Sequence, residues 1–169
     1  MSWFDLGALV VIALAVTDGA KSGLAWAALE SVAVVGTALL ARAVHGPSEP
    51  YLAKLADLPD GDMHCASHIV ALTLLGCTVT GVMILLHPAS RRWRFERDAW
   101  FGAALGVVNG LLASLVIFST VLWWRPRPDA EETLAGSRLT AVLQVATDRG
   151  LAPLFPEHVP GRLHDFERP

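Results

Sequence analysis

The chain has 169 residues, 53% of them hydrophobic and 17% charged, and a formal net charge of −3. An average soluble domain carries about 25% charged residues, and no Lys/Arg-rich face precedes an aromatic platform here, so nucleic-acid binding has no footprint. Cys65 and Cys77 lie twelve residues apart on one predicted helix, roughly 18 Å along its axis, so they cannot bridge within the chain and no disulfide framework forms.

Charge placement is more telling than charge number. Thirteen charged residues crowd into 125–169, and the rest sit in short patches. Four charge-poor windows remain, at 6–17, 22–41 (Glu30 only), 63–90 and 99–124. The last is 26 residues without a charge, long enough to cross a ~30 Å hydrocarbon core as a helix. The pattern predicts an all-α integral membrane four-helix bundle in 1–124, with spans at about 3–18, 24–43, 65–87 and 99–124.

The first span begins Met1-Ser2-Trp3-Phe4-Asp5, without the basic flank of a cleaved signal peptide. Gly19, Lys21 and Gly23 make a tight turn into the second span, and so short a connection predicts a helical hairpin of antiparallel neighbours. In the polar connection that follows, Ser48-Glu49-Pro50 reads as a helix start and Pro59-Asp60-Gly61 as a stop. A short interfacial helix over 50–57 is expected there, with Tyr51, Leu52 and Leu55 on its apolar side.

Between the third and fourth spans stands the densest basic loop of the chain, with Arg91, Arg92, Arg94 and Arg97. The positive-inside rule makes that loop cytoplasmic, puts Lys21 on the same side and leaves both termini outside. Arg125 and Arg127 on the far flank of the fourth span pull the other way. Trp3, Trp93, Trp100, Trp123 and Trp124 all fall near span ends, as interfacial aromatics do. The basic loop is also suited to hold anionic lipid headgroups.

The C-terminal tail, 125–169, is amphipathic or irregular. Leu139, Val142, Leu143 and Ala146 recur at helical spacing, with Gly150 as the stop, which predicts a short amphipathic helix packed on the bilayer surface or under the bundle. The stretch from Phe155-Pro156 to Pro169 reads as irregular.

In this order the motifs resemble the colicin V production protein family, the CvpA-like membrane proteins. They are a Trp-x-Asp start (Trp3, Asp5), the Gly-x-Lys-x-Gly turn (Gly19, Lys21, Gly23), a fourth span opening on Asp98 with Gly102, Gly106 and Gly110, and the Ser137-initiated tail segment. Two places depart from the family pattern. Trp26 and Ala27 stand where members often have a basic residue and a glutamate, and Asn109 stands where an arginine is common before the last glycine. The resemblance implies a non-enzymatic protein of the bacterial inner membrane, tied to bacteriocin export or envelope upkeep, with no cofactor.

Gly102, Gly106 and Gly110 form a groove down one helix face where a partner backbone can approach. Packing inside the chain is the expected use, with leucine at Gly106 disruptive and alanine much milder. Glu30 is the only acid well inside a span, and an intramembrane acid invites a functional reading. At 1.5 Å per residue, Glu30 and Thr80 lie ~10 Å and Asn109 ~13 Å from the same membrane side, so the three can share one level. The expected role of Glu30 is a hydrogen bond to Asn109 or Thr80 that pins register; a proton or ion path is the rival.

His64 and His68 share a helix face at i and i+4, as metal-binding helices use. No third ligand is near on that face, so they are read as interfacial histidines and no metal is expected. His45, His87, His158 and His164 are scattered and carry no signal. Ser67 follows His64 by three, but no oxyanion site or Gly-x-Ser-x-Gly context accompanies it. An enzyme is not expected. The reading is a membrane scaffold or accessory protein whose partners are the bilayer and another membrane protein or further copies of itself. Its alternatives are an accessory subunit of a larger complex, or a small transporter or channel component using Glu30.

Overall fold

The computed structural model describes residues 2–56, 60–90, 98–124 and 136–155. Four long helices carry it: α1 (Trp3–Ser22), α2 (Leu24–Leu52), α3 (Asp60–Ser90) and α4 (Asp98–Trp124). Each is long and apolar enough to cross a membrane, and the described residues contain no strand. A fifth, short helix, α5 (Arg138–Ala146), is followed by a π-helical turn at Thr147–Leu151 and a 3-10 turn at Ala152–Leu154. This is a helical bundle of multi-pass membrane type.

Helix starts follow local chemistry. Ser2 caps α1 in a reciprocal box: its hydroxyl accepts from Asp5 N at 3.2 Å, and its own N–H donates to Asp5 Oδ2 at 2.9 Å. The turn between α1 and α2 shrinks to one residue. Gly23 takes φ 88°, ψ 174°, a conformation a side chain would forbid, and its N–H still bonds Gly19 O at 2.9 Å. The first span therefore runs four residues beyond the expected Asp18.

The separate interfacial helix expected over 50–57 is not formed. Residues 44–52 continue α2, with Pro47 and Pro50 inside it. Each proline removes one N–H from the helix ladder, but the polar side chains there reinforce the backbone: Ser48 Oγ donates to His45 O at 2.7 Å. Beyond Leu52 the chain makes only turns before the described residues stop at 56.

The hairpin expectation also needs correction. α1 packs chiefly on α4 and α2 chiefly on α3, while α2 against α4 joins the two pairs. α1 and α2 meet only lightly. A one-residue turn fixes the ends of two helices, but side-chain size decides what packs along their length, and the glycines draw α1 to α4.

The main core lies at the end of the bundle remote from Gly23. Ala8, Ala38, Leu115, Phe118 and Leu122 are buried there with Leu139, Leu143, Ala146, Leu154 and Phe155 of the tail. Phe4 meets Phe118 edge to face at 5.4 Å. The tail segment expected on the bilayer surface or under the bundle is thus a lid beneath it. Gly150, with φ +87°, turns the chain as the expected stop. Residues 156–169, the loop with Arg91, Arg92, Arg94 and Arg97, and Arg125 and Arg127 lie outside the described residues.

Candidate functional site

The glycine ridge builds the α1–α4 seam. A methyl group on Gly102 would come 2.9 Å from the carbonyl carbons of both Gly19 and Gly23. On Gly106 it would lie 2.8 Å from Ala15 C, and on Gly110 2.6 Å from Ile12 Cα. The two antiparallel backbones therefore touch over about three turns, at a distance only glycine allows. Gly19 and Gly23 belong to this same seam, and Lys21 sits exposed beside it.

Asn109 is buried at the level of the seam, next to Gly110 and about 100° around α4 from it, on the side facing α2. Its Nδ2 donates to Ala27 O at 2.9 Å, and its Oδ1 accepts from Ser31 Oγ at 2.6 Å. Ser31 Oγ also reaches Ala27 O at 3.0 Å, so its one proton is shared between two acceptors. The expected Asn109–Glu30 bond is not made. Ala27 and Ser31 are four apart and face α4 together, whereas Glu30 is turned about 100° away from Ser31.

Glu30 instead faces a groove of about 750 Å³ lined by all four long helices. α1 and α3 are not packed together, so the groove opens between them. Glu30 is half-buried on its wall, and its side chain interacts with the Asp18 carboxyl and with Trp26. Trp26 in turn meets the His87 ring at 5.0 Å. Thr80 and Asn109 line the same space.

The groove is polarised along its length. Asp18, Trp26, Glu30, Thr80 and His87 gather near the Gly23 turn, while Leu72, Val116 and Ile117 line the other part with Thr37, and Leu72 and Val116 pack in the core that the tail closes. A carboxyl pair beside an indole and an imidazole can hold a proton or a cationic group. The stretch beyond them is mostly apolar and suits hydrocarbon.

Two further clusters lie at the tail end. Asp5 is buried, and its Oδ1 accepts from Ser137 Oγ at 2.8 Å and from Arg138 N at 3.0 Å, which ties the start of α5 to the start of α1. His64 and His68 of α3 meet His45 and Glu49 of α2, and His64 Nδ1 pairs with the Glu49 carboxylate. Ser67 is fully buried and donates to His64 O at 2.8 Å, within its own helix.

The sequence reading did not single out Asp18 as the neighbour of Glu30, nor His45 and Glu49 as the neighbours of His64. A signal for the second was present: His45 and Glu49 repeat the i, i+4 spacing of His64 and His68.

The family model described as colicin V production protein matches residues 4–148. The chain belongs to that family. Among curated proteins and solved structures, nothing matches it. The match runs from α1 past the end of α5, so the glycine seam, the groove and the Asp5–Ser137 clamp of this colicin V production family member all fall inside it.

Proposed function

We propose that this family member is a non-catalytic scaffold or accessory protein of the bacterial inner membrane, serving bacteriocin export or envelope upkeep. Its partners in this reading are the bilayer and another membrane protein or further copies of itself. The basic loop at 91–97 argues for a cytoplasmic loop and outside termini. The observation that carries the reading is the one-ended polarity of the groove. A conduit needs polar or hydrated groups from one face to the other, and here the two acids lining the groove, Asp18 and Glu30, stand near the Gly23 turn, while Leu72, Val116 and Ile117 line its other part.

One observation favours the rival reading of a small transporter or channel component: Glu30 and Asp18 share the open groove wall. Two variants separate the readings. As a hydrogen-bonding residue, Glu30 is replaceable by glutamine, which keeps the shape and most of the bonding capacity. Glu30→Gln is expected to support bacteriocin export or envelope integrity in a deletion strain as the wild type does. Glu30→Ala is expected to lose a modest amount of stability, on the scale of ~0.6–1.7 kcal/mol for hydrogen bonds in membranes. Equal loss of function in both variants with unchanged melting curves would overturn the scaffold reading.

A further inference from the structure

The tail end of the α2–α3 pair holds four side chains that neither the seam nor the groove uses. His45 and Glu49 are four apart on α2, and His64 and His68 are four apart on α3. Residues at that spacing share one helix face. The two helices pack together, so the faces meet: His45 and His68 are buried, while His64 and Glu49 are about one-third exposed. The ring centroids of His45 lie 4.7 Å from His64 and 5.4 Å from His68.

The ring nitrogens are arranged in a particular way. His45 Nδ1 stands 2.6 Å from Arg42 O, and His64 Nδ1 pairs with the Glu49 carboxylate. Both partners are acceptors, so each ring, when neutral, carries its proton on Nδ1 and leaves a lone pair on Nε2. The two Nε2 atoms then face each other at 3.2 Å. Two lone pairs so placed repel unless a cation stands between them. Two nitrogens each about 2.0 Å from a tetrahedral ion are themselves roughly 3.3 Å apart. A metal-binding histidine characteristically donates its other ring N–H to a carboxylate or a backbone carbonyl, which is what Glu49 and Arg42 O accept here.

We propose that His45 and His64 bind a divalent transition metal through their Nε2 atoms, with Glu49 and the Arg42 carbonyl orienting the rings. Imidazole donors suit zinc, and the 3.2 Å between the two Nε2 atoms matches the nitrogen separation of a tetrahedral zinc site. Bound there, the ion ties the end of α2 to the start of α3 across their connection.

The test uses the full-length protein, purified in detergent with a tag free of histidine, stripped with a chelator and dialysed. Titration with zinc chloride by calorimetry is expected to give one saturable equivalent. Cobalt(II) is expected to give the visible absorption of a tetrahedral site. The double variant His45→Ala/His64→Ala abolishes both signals, and His158→Ala/His164→Ala leaves both in place. Glu49→Gln keeps the stoichiometry and weakens binding by about 10- to 100-fold, the usual effect of losing an orienting acceptor. Absence of a saturable equivalent in the wild type overturns the proposal, as does unchanged binding in His45→Ala/His64→Ala. If the double variant does not fold, the wild-type titration and Glu49→Gln decide it, and an affinity that Glu49→Gln leaves untouched counts against the site. A histidine pair bridged by a proton gives no cobalt absorption, and that result also overturns it.

Discussion

At the scale of single residues, the polar groups of the bundle are distributed between fixing and exposing. Asn109 is buried and spends both ends of its amide on α2. Asn109→Ala is therefore expected to lower stability by roughly 0.6–1.7 kcal/mol, the range of interhelical hydrogen bonds in membranes, with the loss read as a lower melting temperature in detergent. Asn109→Asp keeps an acceptor for Ser31 but offers Ala27 O no amide donor, and is expected to fall at least as far. Glu30 is placed otherwise, on an open wall beside Asp18. Counting along the spans put Glu30, Thr80 and Asn109 at one level, and all three line one groove. Their pairing was not legible in the sequence, because rotation about the α2 axis decides whether residue 30 or 31 faces α4, and Trp26, Ala27 and Gly23 set that rotation through packing that no one-dimensional pattern encodes.

At the scale of elements, the α1–α4 seam is the best-defined contact. The ridge of Gly102, Gly106 and Gly110 could be read from its four-residue spacing, but its partner could not. The milder effect expected for alanine at Gly106 also changes, because a methyl there already lies 2.8 Å from Ala15 C and 2.9 Å from Val16 Cα. Those are backbone atoms, which can move only if the helices part. Gly106→Ala is expected to lower the melting temperature clearly, and Gly106→Leu further, by the ~1–3 kcal/mol typical of overpacking or more. Gly81 has nothing within 4 Å of a built methyl, so Gly81→Ala is expected to be neutral or to gain up to about 0.5–1 kcal/mol from helix propensity. Equal melting for Gly81→Ala and Gly106→Ala would mean that the seam is not a close backbone contact. The extension of α2 through Pro47 and Pro50 escaped the sequence reading for a related reason: prolines and a polar stretch signal a break, and the packing of His45 and Glu49 on α3 outweighs that signal.

At the scale of the whole molecule, the spans were legible in the charge-poor windows and α5 in the spacing of Leu139, Leu143 and Ala146. The clamp between Asp5 and Ser137 joins residues 132 apart, and nothing local announces it. It closes the tail under the bundle together with Arg42, whose guanidinium donates to Ala152 O and Phe155 O at 3.2 Å each. Asp5→Ala removes the acceptor for Ser2 N, Ser137 Oγ and Arg138 N together. Faster hydrogen exchange across 138–155, with α4 unchanged, is the expected result; unchanged exchange in α5 would mean that apolar packing alone holds it. The clamp also bears on testing orientation, since Ser137 is buried and a cysteine there would both unlatch α5 and escape labelling. Gly136 is exposed, so in a background without Cys65 and Cys77, a cysteine at Gly136 is expected to label only from outside and one at Ser90 only from the cytoplasm. Labelling of both from one side would contradict the four-span arrangement.

The most direct test of a scaffold with a one-ended groove is proton flux in sealed proteoliposomes holding a pH-sensitive dye. With an imposed pH gradient and a potassium–valinomycin clamp, the wild type is expected to leak no faster than protein-free vesicles, and Glu30→Gln to behave identically. A wild-type flux above the protein-free rate that Glu30→Gln abolishes would contradict the scaffold and make Glu30 part of a conduction path.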